Sequence, residues 1–255
     1  VWIQKETIKA REYADKALKI GIEIKNSSLV GRALQMKGFS FFRDAEYEEA
    51  EKLYKDAMNE FFIAGDQKEI SMVYLNMGLL AQQRNNDQLA LYYLEKSLAY
   101  KEKVHDLPGK GKVYLNMGNV YYFRGDYDLG AKWYLEALKI LEATGQELLA
   151  AKTINNIGNI YLVTGNYPKA MEYYRKGFVV RKKLQDIKGI ALSYNNFGSV
   201  FYSQSEYDSA LYYFHRSLEM KREFNDMYSI AGTLGNIGGV YRAMKDFPRA
   251  RKFYE

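Results

Sequence analysis

The chain keeps one period along almost its whole length. Asn76-Met77-Gly78 returns as Asn116-Met117-Gly118, Asn156-Ile157-Gly158, Asn196-Phe197-Gly198 and Asn236-Ile237-Gly238, a step of 40 residues each time, and Met36-Lys37-Gly38 carries the glycine one step further back. An unbroken period of this size means that one supersecondary element is copied and stacked, each copy needing its neighbours to complete a core. The rest of the pattern recurs with the glycine. An aromatic follows three residues on (Phe41, Tyr121, Tyr161, Phe201, Tyr241) and another nine on (Tyr47, Tyr127, Tyr167, Tyr207, Phe247), then a small residue at Ala50, Ala90, Gly130, Ala170, Ala210 and Ala250. Next come Tyr54, Leu94, Tyr134, Tyr174, Phe214 and Tyr254, followed by Ala57, Ser97, Ala137, Gly177 and Ser217. Spacings of three, four and seven are helical. Each repeat is therefore read as two amphipathic helices, A starting near residues 31, 71, 111, 151, 191 and 231, and B near 47, 87, 127, 167, 207 and 247.

Turn chemistry marks the same divisions. Gly125-Asp126, Gly165-Asn166, Ser205-Glu206 and Lys245-Asp246 fall between A and B, and Pro168 and Pro248 fall in the first turn of B, where a missing N–H costs little. Asp66, Asp106, Asp186 and Asp226 mark the entry to the next helix A, as turn or capping residues. The expected organisation is a single solenoid domain over 1–255: full repeats at 31–70, 71–110, 111–150, 151–190 and 191–230, a partial repeat at 1–30 with helix B only, and a truncated one at 231–255. A mid-helix glycine costs about 1 kcal/mol relative to alanine. Six at one register therefore imply close packing, and the expectation sets Gly158 of helix A against Ala170 of helix B. The second repeat reads Ala81, Asp87 and Leu94 where the others carry aromatics, so its packing should be looser or bent.

Composition excludes several kinds of chemistry. With no Cys among 255 residues, disulfide frameworks, thiolate nucleophiles and iron–sulfur clusters are ruled out. The two His, His105 in a turn between repeats and His215 on a distant helix B, form no metal pair, so no metal, cofactor or catalytic site is expected. Gly109-Lys110-Gly111-Lys112 lacks the preceding strand and the spacing of a phosphate loop and is read as a turn into helix A. Arg181-Lys182-Lys183 ends a helix B and is read as a solvated run facing the helix dipole. No stretch approaches the length of apolar sequence that spans a bilayer. The compartment stays open between cytoplasm and periplasm, and the abrupt ends at Val1 and Glu255 read as those of a fragment.

The small residues at fixed points, with Tyr161, Gly165-Asn166-Tyr167, Ala170 and Tyr174, resemble the tetratricopeptide (TPR) pattern. The period of 40, longer than the family's usual 34, is similar to the long repeats of kinesin light chains, spindle-polarity adaptors and bacterial peptide-sensing regulators, and most of all to TPR regions of bacterial signalling proteins. That resemblance implies an all-α, right-handed superhelical solenoid of antiparallel helix pairs. It also implies a non-catalytic peptide- or protein-binding module, the sensory or adaptor part of a larger signalling protein, with an extended ligand in a concave groove lined by the A helices. Carried over, the groove contains the ladder Asn76, Asn116, Asn156, Asn196 and Asn236. An amide offers a donor and an acceptor, which suits a peptide backbone. The same amides could instead tie adjacent helices together. Flanking registers add Lys112, Asn119 and Tyr122, then Lys152, Asn155 and Asn159, then Asn195, Ser199 and Tyr202. Across all repeats, the inferred surface holds Arg32, Arg43, Lys112, Lys152 and Arg242 and no acidic residue, which favours a ligand with acidic groups or a free C-terminal carboxylate.

Two other readings compete. Terminal helices that expose surfaces built for a neighbour would suit a structural oligomerisation spacer, a homo-oligomer joined through its ends. The charge of +6 and the 24 Tyr would suit a nucleic-acid-binding solenoid. The latter is the weaker reading, because fifteen of the aromatics occupy the three signature positions and are spoken for by packing.

Overall fold

The computed structural model describes the backbone of residues 2–255 and the side chains from Glu6 onward. The described residues form helices alone, in consecutive antiparallel pairs: α1 (Trp2–Glu23), α2 (Ser27–Arg43), α3 (Tyr47–Ala64), α4 (Gln67–Gln83), α5 (Asp87–Lys103), α6 (Leu107–Arg124), α7 (Tyr127–Ala143), α8 (Glu147–Val163), α9 (Tyr167–Lys183), α10 (Ile187–Ser203), α11 (Tyr207–Glu223), α12 (Met227–Ala243) and α13 (Phe247–Tyr254). They fall into two compact bodies, one ending at Ile140 and the other spanning Leu141–Glu255.

The B helices start where the sequence placed them, whereas the A helices start four residues earlier. The cause is the cap. Asp66, Asp106, Asp186 and Asp226 each sit immediately before an A helix, and each accepts a hydrogen bond from the backbone N–H three residues on. Gly109-Lys110-Gly111-Lys112 accordingly lies inside α6 and not in a turn, with the Gly109 N–H held by Asp106 Oδ1 at 2.9 Å. Pro108 is tolerated because it occupies the first turn.

The described turns share a construction. One left-handed residue occurs every 20 positions from Lys25 to Lys245, and only Gly65, Gly125, Gly145 and Gly165 are glycines among them. Next to it, in every described turn except the one at Asn225, a backbone N–H reaches back five residues, as Asp106 does to the Lys101 carbonyl and Asp246 to that of Tyr241, which closes the preceding helix in a Schellman arrangement.

In the body ending at Ile140, Tyr54, Phe61, Ile70 and Val73 form one buried cluster and Leu94, Val113, Met117 and Val120 another. In the second body, Tyr174, Phe197 and Val200 form one cluster, and Phe214, Leu218, Ile237 and Val240 a second. The repeated glycine works as expected but against a different neighbour. A Cβ on Gly158 would lie 2.6 Å from the Tyr174 ring and not against Ala170. Gly38 meets Tyr54, Gly198 meets Phe214 and Gly238 meets Tyr254 in the same way, so the glycine gives an aromatic ring room to lie flat on helix A. Burying such a ring contributes about 1.5–3 kcal/mol, more than the glycine costs in propensity.

Candidate functional site

The predicted ladder residues divide by what their amides touch. In the second body, Asn196 Nδ2 donates to Asn155 Oδ1 at 2.5 Å, linking α8 to α10, and both side chains are buried. Asn236 Nδ2 donates to Asn195 Oδ1 at 3.1 Å, linking α10 to α12, and Thr233 Oγ1 approaches the same oxygen at 3.4 Å. Both bridges thus pair a ladder Asn with the residue before the preceding ladder Asn. Asn159 Oδ1 accepts from Tyr174 Oη at 2.7 Å, which fixes the plane of its amide. Asn156 is half-buried on α8, Lys152 and Tyr202 are exposed, and Ser199 Oγ donates to the Asn195 carbonyl in its own helix.

In the first body the amides bond within their own helix or to the following B helix. Asn116 Nδ2 donates to the Lys112 carbonyl at 2.9 Å. Asn119 Nδ2 lies 3.4 Å from Asn116 Oδ1, and its Oδ1 accepts from Tyr134 Oη at 2.8 Å, matching the Asn159–Tyr174 pair one repeat later. Tyr122 packs its ring between Phe123 and Tyr127, and burial raises its phenol pKa. Asn76 and Lys112 are half-buried. Of the basic residues assigned to this face, Arg32 is already compensated by Glu69 at 3.1 Å and Asp66 at 3.9 Å.

Three buried cations escaped the sequence reading. Arg181 was expected in solvent, yet it is only 3% exposed. Its guanidinium donates to the Gly189 carbonyl at 2.9 Å and to Ser193 Oγ at 3.0 Å, and burial pulls its pKa down. Lys101 donates to Asp106 Oδ2 at 2.7 Å and lies 3.1 Å from Ser71 Oγ. Lys221 donates to Thr233 Oγ1 at 2.8 Å. The 40-residue ruler carried the signal: these positions share a register with Phe61 and Leu141, both fully buried. Gly109 and Gly189 make the room, since a Cβ on either would run into the aliphatic stem of Lys101 or Arg181 at 2.6 and 2.7 Å. His215, by contrast, is exposed, edge-on to Phe253.

No helix among the described residues is long and apolar enough to cross a membrane. No curated protein matches the chain. Among solved structures, a signal-transduction ATPase with numerous domains (STAND) from Pyrococcus horikoshii, which has a tetratricopeptide repeat sensor, is similar over 93% of this chain at 20% identity and a TM-score of 0.76. The chain spans 36% of that protein's length. A Rap protein in complex with Competence and Sporulation Factor is similar over 98% of this chain and 69% of its own, at 14% identity and a TM-score of 0.77. Aspartyl phosphate phosphatase F from Bacillus subtilis is similar over 92% and 72% respectively, at 13% identity and a TM-score of 0.73. At these identities the likeness is one of fold. The tetratricopeptide repeat model matches residues 69–143, 109–183, 149–223 and 189–255 in overlapping copies. With well over half of its length accounted for by that model, the chain belongs to the tetratricopeptide repeat family.

Proposed function

We propose that the chain is a non-catalytic peptide- or protein-binding module, the sensory or adaptor region of a larger signalling protein, and that it holds an extended ligand against its A helices. The observation that carries this reading is the fixed pair Asn119–Tyr134 and Asn159–Tyr174: at the same position of successive repeats, a buried tyrosine hydroxyl occupies the amide oxygen and sets the amide plane. An amide oriented before the ligand arrives loses little entropy on binding a peptide backbone. Exposed Lys152 and Arg242 and half-buried Lys112 favour acidic side chains or a terminal carboxylate. Support also comes from the fold neighbours, one described with a repeat sensor and another solved with a bound factor.

The bridging amides have a different part in this reading. Asn155, Asn195, Asn196 and Asn236 hold A helices of the second body together, so ligand contact in that body falls chiefly on Lys152, Asn159 and Tyr202. The test is binding of a fluorescent library of extended peptides, with acidic and free-carboxylate members, to the wild type and to Lys152→Glu, Asn159→Ala and Tyr202→Ala, each shown by circular dichroism to be folded. Loss of affinity by about tenfold or more in these variants supports the reading. Unchanged affinity for every ligand in all three would sink it, and no binding by the wild type would shift weight to the oligomerisation spacer.

A further inference from the structure

The second repeat lacks a ring that every other repeat possesses, and the space for that ring is still there. At the register of Ala81 the other repeats place Phe41, Tyr121, Tyr161, Phe201 and Tyr241. Three of these stack on a ring of the following B helix: Tyr161 on Tyr173 at 5.4 Å between centroids, Phe201 on Tyr213 at 5.4 Å and Tyr241 on Phe253 at 5.5 Å. Cations lie over several rings of this register, as with Arg11 over Phe41 at 3.6 Å, Lys169 over Tyr161 at 5.2 Å and Arg249 over Tyr241 at 4.8 Å.

In the second repeat the lower platform is present, as Tyr93, but Ala81 puts nothing on it. A cavity of about 150 Å³ remains, floored by Met77, Leu80 and Ala81, with Tyr93 and Leu89 as walls and Arg84 at its rim. A cavity of about this size accommodates a benzene ring. Arg84 bonds Glu51 at 2.6 Å and Glu48 at 2.8 Å, which stations a guanidinium and a carboxylate at the mouth. The guanidinium can lie over an entering ring, as the cations do elsewhere, and the Glu51 carboxylate can accept an indole N–H or a phenol O–H.

We propose that this cavity is a socket for an aromatic side chain of a partner polypeptide, which would supply in trans the ring that the repeat omits. The socket is separate from the asparagine face. Met77, Leu80 and Ala81 of α4 and the capping Arg84 line it, and Asn76 does not. The proposal therefore does not depend on the reading of the A-helix face as a peptide groove.

The test uses the whole chain and two blocked peptides, acetyl-Gly-Gly-Trp-Gly-Gly-amide and its Leu counterpart, with free indole as a third probe, followed by NMR. The expected result is saturable binding of the Trp peptide with shifts at Ala81, Leu89 and Tyr93, and affinity for the Leu peptide at least about tenfold weaker. Ala81→Phe should fill the socket from within and abolish binding. Should that variant fail to fold, Tyr93→Leu, which copies Leu53 of the first repeat, should cost the Trp peptide about fivefold or more and leave the Leu peptide unchanged. Equal affinity for both peptides, binding undiminished in folded Ala81→Phe, or saturation by indole with no binding of the Trp peptide would each overturn the proposal.

Discussion

The second repeat, α4 and α5, and the fifth, α10 and α11, share a backbone plan and fill it differently. Both have a glycine against the B helix, a left-handed turn residue and a buried lysine at the same register. In the fifth, Phe201 stacks on Tyr213 and Gly198 faces the Phe214 ring; in the second, Ala81 leaves a cavity and Gly78 faces Leu94. The lysines differ as well. Asp106 bonds Lys101 directly, whereas Asp226 is taken by Ser229 Oγ at 2.7 Å and Lys221 falls back on Thr233. The deciding residue is Gly109, where the later repeat has Ser229: without a side chain there, the capping carboxylate turns toward the cation. The scaffold is thus set by turns and small residues, while rings and charges are interchangeable fillings.

The largest difference should appear at the caps. Asp106→Ala removes a cap and strands the ammonium of Lys101, which is 1% exposed, and should cost about 3 kcal/mol in urea unfolding; Asp226→Ala loses only a cap, about 1 kcal/mol. Although burial pushes the Asp106 pKa up, the Lys101 ammonium and the Gly109 N–H outweigh it and hold the carboxyl below its usual 3.8. Its share of stability is therefore complete above that value and is lost as pH falls below it. The gap between wild type and Asp106→Ala should narrow in acid, and a constant gap from neutral pH to pH 3 would refute the charged pairing.

Next in size is the ring itself. Phe201→Ala should turn the fifth repeat into a likeness of the second at a cost of about 2 kcal/mol, less than for a fully buried Phe because this ring is half-buried. The reverse change, Ala81→Phe, should raise stability by about 1 kcal/mol. If both changes were neutral in thermal unfolding, the stacked ring would not be a packing element at all.

The glycines give a finer contrast. Alanine at either position gains about 1 kcal/mol in helix propensity. At Gly198 the new Cβ would lie 2.7 Å from the rigid Phe214 ring, so the net effect should be a loss of about 1–2 kcal/mol; at Gly78 it meets Leu94 Cγ at 3.0 Å and Cδ2 at 3.1 Å, a smaller overlap, and the two effects should nearly cancel. Equal effects in the two variants would mean that ring contact does not select the glycine.

The scaffold was legible in the sequence because it repeats: the period, the turns and the B-helix starts were all read from spacing. The A-helix starts slipped by four residues because the periodic residues begin one turn after the capping aspartate, so the first turn carries no pattern of its own. The glycine's partner was misassigned because a small residue near a small residue suggests close axes, whereas Gly158 makes space for Tyr174. Arg181 was hidden by Lys182 and Lys183, whose run suggests solvent; comparison down the register with Phe61 and Leu141 identifies its place. On the site, a sequence names the amides but not their bond partners. Asn155 and Asn196 meet across two helices, 41 residues apart, an offset that no single repeat contains.

The turns bring the comparison to its smallest scale. Ser205 and Asn85 hold the same left-handed position, with φ of 62° and 56°. A side chain there crowds the backbone, and asparagine pays the least among non-glycine residues because its short amide can bond locally. Ser205→Gly should therefore stabilise the fifth repeat by about 0.5–1 kcal/mol, after allowing for the greater freedom of glycine in the unfolded chain, while Asn85→Gly should change the second by only a few tenths, about 0.3 kcal/mol. Differential scanning calorimetry of the two variants separates these outcomes. A gain at Asn85 equal to that at Ser205 would show that the residue in the turn is immaterial and that the Schellman hydrogen bonds alone close each helix. A gain confined to Ser205 would mean that the second repeat, poorer in rings, is the better built of the two at its turn.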